Sequence, residues 1–162
     1  AGAVALGLTS IAGVRAAIEC IVHEVRRYDA DALSDRFLVE RMIGDPLAQL
    51  LVNVRAEPGF GYAMTIASGG VFTELLVDST TLLLPASEAD FEAALATLRI
   101  SRLLGGFRGR AVADRARIVE MLARLSAYVC NGAGDITEIE INPLFVLPDR
   151  VCAVDVLMRV KG

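Results

Sequence analysis

Glu138-Ile139-Glu140-Ile141-Asn142-Pro143, with Asp155 a short way downstream, are the residues of this sequence best suited to chemistry. Successive side chains of a strand point to opposite faces. As a strand, the stretch would send Thr137, Ile139 and Ile141 into a core and crowd Glu138, Glu140 and Asn142 on the other face. Pro143 has no N–H and is expected to end ladder pairing on its side. An amide oxygen and a carboxylate suit Mg²⁺, which takes one or two protein ligands and leaves room for water and phosphates. Asn142 and Asp155 are the candidate metal ligands. A solvated edge face with acids for solubility fits the same spacing.

The elements that must position these groups follow from the flanking sequence. Phe145-Val146-Leu147 and Val151-Cys152-Ala153-Val154 read as a hairpin across Pro148-Asp149-Arg150, which would return Asp155 towards Asn142. Upstream, Arg36 to Ile43, Leu47 to Arg55 and Tyr62 to Ala67 read as strands. Turns at Gly44-Asp45-Pro46 and Glu57-Pro58-Gly59 make them an antiparallel meander. Residues 2–8 suggest one more short strand. Helices are expected over 10–28, 87–98 and 113–130, with Thr9 or Ser10, a Ser87/Asp90 capping box and Asp114 at their starts. Ile11, Val14, Ile18, Ile21, Val22 and Val25 share one face of the first helix, and Ile118, Met121, Leu122, Leu125 and Val129 one face of the last. The fold class is α+β, with a largely antiparallel sheet and packed helices.

Two glycine-containing stretches could meet an anion. Ser68-Gly69-Gly70 allows close backbone approach, and its N–H groups could form a nest for a phosphate. Val71 to Val77 then resumes a strand, with Phe72 and Glu74 on one face. Arg108 and Arg110, set among Gly105, Gly106 and Gly109, offer planar forks of donors to an oxyanion. A turn and a solvated loop explain the two stretches equally well. His23 lies in an amphipathic helix away from any ligand-spaced Cys or acid and reads as structural. Cys20, Cys130 and Cys152 are scattered in apolar sequence and read as buried free thiols.

Composition narrows the classes further. With 162 residues the chain can build one sizeable core. Its apolar content of 54% exceeds the roughly 45–50% usual for soluble domains. No apolar run approaches the length of a bilayer span. The excess therefore points to a neighbouring domain, a partner or a second copy rather than lipid. The net charge of −4 argues against nucleic acid. Lys161 is the only lysine, and at the chain's end it serves neither a Schiff base nor a phosphate loop. No signal peptide is visible, so a cytoplasmic protein is expected.

Several ordered stretches carry a family resemblance. "EIEINPLFVL" with "VCAVDV", "IASGGVFTELLVDST", "LLGGFRGRAVAD", the opening "GAVALGLTSIAGVRAAIE" and "RFLVERMI" together resemble the ATP-grasp domain of NDP-forming acyl-CoA synthetases, the superfamily of the succinyl-CoA synthetase β subunit. The resemblance covers nearly all of residues 1–162 and implies a single ATP-grasp lobe, the larger one, as a piece of a longer chain. The small lobe with its nucleotide-contacting lysine, the CoA-binding domains and the phosphohistidine domain would be the partners. Implied cofactors are ATP or ADP and Mg²⁺, with CoA bound by the other domains. The implied activity is reversible phosphoryl transfer between nucleotide and a histidine, within an acid–thiol ligase.

By the same resemblance, Glu40 would lie beside the base, and Gly69, Gly70, Arg108 and Arg110 near the phosphates. Glu74 would sit at the phosphate end, and Glu140 would approach the histidine. Gln49 departs from the pattern, because the family usually has Glu-Leu where this chain has Gln49-Leu50. An amide there removes a charge. That leaves room for a second function, a ligand-sensing module of the kind found in synthetase-like protein acetyltransferases.

Overall fold

The computed structural model describes residues 2–70, 78–132 and 135–162. The chain divides into two compact units, Ala1–Gly44 and Asp45–Gly162.

In the first unit, α1 (Ile11–Tyr28) begins where the Ser10 hydroxyl accepts from the Gly13 N–H at 3.1 Å. Its apolar stripe is present, yet no residue of the helix is buried. Residues 2–8 and Arg36–Ile43, expected as strands, run without strand pairing among the described residues. Their side chains are mostly exposed, Leu38 and Val39 among them. Apolar, β-branched sequence favours an extended backbone, but a strand exists only against a partner with which to exchange hydrogen bonds.

The second unit carries an antiparallel sheet. Its described strands are β1 (Ala48–Glu57), β2 (Gly61–Ser68), β3 (Ser79–Leu84), β4 (Ile136–Val146), β5 (Val151–Ala153) and β6 (Val156–Val160). The order is β3-β2-β1-β4-β5, and β6 also pairs with β4. Three α-helices accompany the sheet among the described residues: α2 (Glu88–Thr97), α3 (Ser101–Leu104) and α4 (Arg115–Cys130). The capping box at α2 is made in both directions, Asp90 N–H to Ser87 Oγ and Ser87 N–H to Asp90 Oδ2. Asp114 stands at the start of α4 without a side-chain cap bond.

Alternation builds the core. Leu50, Val52 and Val54 of β1, Met64 and Ile66 of β2, and Ile139, Ile141 and Leu144 of β4 meet Phe91 and Leu95 of α2 and Ile118 and Leu122 of α4. Burying a large aliphatic side chain contributes about 1.5–3 kcal/mol, so this cluster supplies most of the unit's driving force.

Two irregularities shape β4. Ile136 pairs with Val160 and Glu138 with Arg159, leaving Thr137 as an extra residue opposite β6. Thr137 therefore bonds the Arg159 carbonyl through its hydroxyl, and Ile136 takes the core position expected of Thr137. Against β1, Leu50 pairs with Leu144 and Val52 with Ile141, which puts a second bulge at Asn142-Pro143. Pro143 does not end the strand. It lacks only the donor, and its carbonyl accepts from Val154 N–H at 3.0 Å while β4 continues to Val146.

The cysteines also differ from expectation. Cys20 and Cys130 are exposed and Cys152 half-buried, all free thiols. Cys130 ends α4 and Cys152 lies in a three-residue edge strand, where apolar neighbours in sequence do not become neighbours in space.

Candidate functional site

The face of the sheet opposite the helices carries the polar side chains. Register aligns Glu140 with Asn53 of β1, Asn53 with Thr65 of β2, and Thr65 with Thr81 of β3. Glu138 is the best-held acid of this face. It accepts from Asn53 Nδ2 at 3.0 Å and pairs with Arg159 Nε at 3.1 Å. Its charge is thus neutralised within the protein. Glu140, half-buried on the same face, has no hydrogen bond or ion pair to its carboxylate among the described residues.

Asn142 and Asp155 come together across the seam where β4 changes partner from β6 to β5. Ile141 pairs with Val156, and the next step is an Asn142 N–H to Asp155 O bond of 3.1 Å. Residues directly opposite in an antiparallel pair present their side chains on one face. Both side chains are exposed, and neither has a protein partner among the described residues. Among the described residues no cluster of three or more His, Cys, Asp or Glu forms a closed metal cage. One amide and one carboxylate, open to solvent, instead fit an ion that keeps water and phosphate in its shell, as Mg²⁺ does.

Gly69 and Gly70 lie at the same end of the sheet, beside β1. Gly69 donates its N–H to the Gln49 carbonyl at 2.7 Å, so that donor is engaged by the fold rather than by an anion. A Cβ on Gly69 would fall 2.9 Å from the Leu50 carbonyl carbon. Close backbone approach is therefore why glycine stands here, and the approach is to β1. Gly70, at φ +90°, faces the Gln49 side chain, whose Oε1 would lie 3.0 Å from an added Cβ. Gln49 thus touches the Gly-Gly turn through both its carbonyl and its side chain.

Arg110 donates through Nη2 to the Pro46 carbonyl at 3.0 Å, which ties the 105–112 loop to the entry of β1. Arg108, in left-handed backbone at φ 54°, stands over the Phe107 ring at 5.3 Å and is exposed. Glu40 belongs to the first unit, where it is exposed and lines a groove of about 680 Å³ with the apolar stripe of α1. Glu74 lies outside the described residues. His23 is exposed, with Nδ1 3.4 Å from Glu24 Oε1.

Sequence reasoning missed Asp78. It is buried, and accepts from Ser68 Oγ at 2.5 Å, Arg99 N–H at 2.8 Å and Ile100 N–H at 3.0 Å. Burial pushes its carboxyl up. The Ser68 hydroxyl, the two N–H groups and the charge of Arg99 outweigh that and hold it below its ordinary value. The only sequence signal was an acid at the start of an otherwise uncharged strand.

A family model described as an ATP-grasp domain matches residues 1–160. The chain belongs to that family. Among curated relatives, the ADP-forming 4-hydroxybutyrate–CoA ligase of Nitrosopumilus maritimus is 31% identical over 147 residues, which is 91% of this chain and 21% of the relative. The β subunit of ADP-forming acetate–CoA ligase II of Pyrococcus furiosus is 32% identical over 144 residues, 87% of this chain and 61% of that subunit. This ATP-grasp domain thus spans about a fifth of the first relative and about three-fifths of the second, both ADP-forming acid–thiol ligases.

Solved structures agree on the α+β fold. The dinucleotide-forming acetyl-coenzyme A synthetase 1 of Ca. Korarchaeum cryptofilum, in complex with coenzyme A, Ca-AMPCP and HgCl⁺, superposes with a TM-score of 0.86 at 29% identity, over 99% of this chain and 69% of that one. A second complex of that enzyme holds coenzyme A and Mg-AMPPCP, with its phosphohistidine segment pointing towards the nucleotide binding site. Its TM-score is 0.83 at 26% identity, over 97% of this chain and 67% of that one. No described helix of the present chain is long and apolar enough to cross a membrane.

Proposed function

We propose that this ATP-grasp domain is the nucleotide-holding lobe of a cytoplasmic ADP-forming acyl-CoA synthetase. It would serve phosphoryl transfer between ATP or ADP and a histidine carried by another domain or subunit. The observation that carries this reading is the pairing of Asn142 with Asp155, two oxygen donors on one face beside Glu140, none of the three side chains having a partner among the described residues. Asn142 and Asp155 would hold Mg²⁺. When bound, that ion neutralises phosphate charge, which is most of what phosphoryl transfer asks of a protein. Glu140, two residues along the same face, is placed to orient an incoming imidazole and favour its protonated form. Glu138 cannot share that task while Asn53 and Arg159 occupy it. Gly70 and Arg108 stand as phosphate contacts at the same end of the unit, with Arg110 supporting the loop that carries Arg108. CoA and the acyl group would be bound by the other domains, as coenzyme A is bound in the Korarchaeum enzyme.

The test is phosphohistidine formation by the full-length protein with Mg²⁺ and γ-labelled ATP. Asp155→Asn removes a charge and almost no volume. It should lower labelling about 100-fold or more while leaving the melting midpoint nearly unchanged. Normal labelling by that variant would end the assignment. A wild-type protein that binds nucleotide but labels no histidine would instead favour a ligand-sensing module. Gln49 supports that second reading, since it puts a neutral amide against Gly70, where the sequence resemblance implies a carboxylate.

A further inference from the structure

Asp78 makes more contacts than a packing role requires. A buried carboxylate is costly unless its oxygens are satisfied, and an apolar side chain would fill the same space without that cost. Here both oxygens are used. Oδ2 accepts from Ser68 Oγ and Ile100 N–H, and Oδ1 from Arg99 N–H. The Asp78 carbonyl also accepts from Ser68 N–H at 2.9 Å.

What these bonds hold is specific. Ser68 is the residue immediately before Gly69-Gly70, and Gly69 is pinned in turn to the Gln49 carbonyl. Arg99 and Ile100 lead directly into α3, whose end passes into Gly105-Gly106 and the Arg108–Arg110 loop. That loop is closed at its far side by Ala113 N–H to Leu104 O at 2.9 Å and by Arg110 to Pro46 O. Each stretch with a phosphate-facing role in the proposed function therefore has one anchored end on the same carboxylate.

The geometry points to Asp78 as a positioning residue for nucleotide phosphates, one that sets Gly69-Gly70 and the Arg108–Arg110 loop in fixed relation through Ser68 and the Arg99–Ile100 backbone. This role rests on the nucleotide reading above and deepens it. Asp78 itself touches no ligand. Its charge makes three hydrogen bonds charge-assisted, and such bonds are roughly twice as strong as neutral ones. Ser68 contributes the one side-chain donor, so Ser68→Ala weakens the same joint without unburdening the carboxylate of its backbone partners.

The experiment compares Asp78→Asn, Ser68→Ala and Leu122→Ala with wild type in the full-length protein. Melting midpoint and Kd for Mg-ADP are measured well below each midpoint. Leu122 is a buried α4 side chain remote in sequence from the joint, and its truncation serves as a matched loss of stability. Asp78→Asn and Ser68→Ala should weaken Mg-ADP binding by about tenfold or more, whereas Leu122→Ala should keep it within about twofold despite an equal or larger fall in midpoint. An unchanged Kd in Ser68→Ala and Asp78→Asn overturns the proposal, as does an equal loss of affinity in Leu122→Ala. Should Asp78→Asn fail to fold, Ser68→Ala decides by the same comparison. A wild-type protein that does not bind Mg-ADP overturns the nucleotide reading itself, a result distinct from binding that is insensitive to the joint.

Discussion

Gly69→Ala offers a test of how tightly the Gly-Gly turn is seated on the central strand. The added Cβ would meet three backbone atoms of β1: Leu50 C at 2.9 Å, Gln49 C at 3.0 Å and Leu50 O at 3.0 Å. None is the end of a flexible side chain, and β1 is held on both edges by β2 and β4, so the clash is relieved only by moving the turn away. Overpacking of this kind costs about 1–3 kcal/mol. Retreat of the turn also gives up the Gly69 N–H to Gln49 O bond of 2.7 Å, worth about 1 kcal/mol. Against this, alanine lowers the entropy of the unfolded chain by about 0.4–1 kcal/mol. The balance is a loss of about 2–3 kcal/mol, or roughly 10 °C in melting midpoint for a unit of this size. Gly105→Ala is the control, because its Cβ would meet nothing nearer than Arg102 O at 3.6 Å. It should stay within about 1 kcal/mol of wild type. Thermal unfolding by circular dichroism reads both. If Gly69→Ala melts with Gly105→Ala and wild type, the close approach is not a constraint and glycine at 69 needs another explanation.

Two further outcomes follow from the core and from Asp78. Leu122, fully buried between sheet and helices, should cost about 3 kcal/mol when cut to alanine, measured by urea unfolding; a loss below about 1 kcal/mol would mean that α4 is not seated as described. For Asp78, the folded carboxyl lies below the ordinary value of 3.8, so its contribution is complete above that pH and is lost as pH falls through the folded value. The stability gap between wild type and Asp78→Asn should therefore be constant at neutral pH and shrink below about pH 4; a gap that widens on acidification contradicts the sign.

Local signals were readable and non-local ones were not. Ser10 and the Ser87/Asp90 box announce α1 and α2 because a cap is an interaction within one turn. Glu57-Pro58-Gly59 announces the β1–β2 hairpin for the same reason, its turn closed by Phe60 N–H to Glu57 O. The hairpin after Pro148 was legible, and with it the approach of Asp155 to Asn142. Asp78 was not legible, since its partners stand 10, 21 and 22 residues away. Gly69 was legible as a place of close approach, but the sequence pointed to a ligand where the structure has a neighbouring strand. The bulge at Thr137 exchanged the inward residue because a single extra position reverses a strand's faces. Residues 36–43 have strand composition without a strand, since composition does not supply the partner.

The seam opposite Asn142 has a dynamic consequence. β4 is held along one edge by the single strand β1, but along the other by two short strands laid end to end, with Asp155 at the joint. Opening at the β1 edge must disrupt pairing to a single strand that runs past the bulge along nearly all of β4. The other edge can unzip in halves, and exposed β6, followed by Lys161 N–H to Asp135 O, is the half with least burial. Amide exchange should accordingly run fastest through β6, slower through β5 and slowest through β1. One of the two proposed metal donors, Asp155, thus hangs at the head of the fastest-exchanging strand, the other on β4, which β1 holds along its opposite edge. Occupancy by a cation bridging them would slow β6 alone, turning an exchange rate into a reporter of the site.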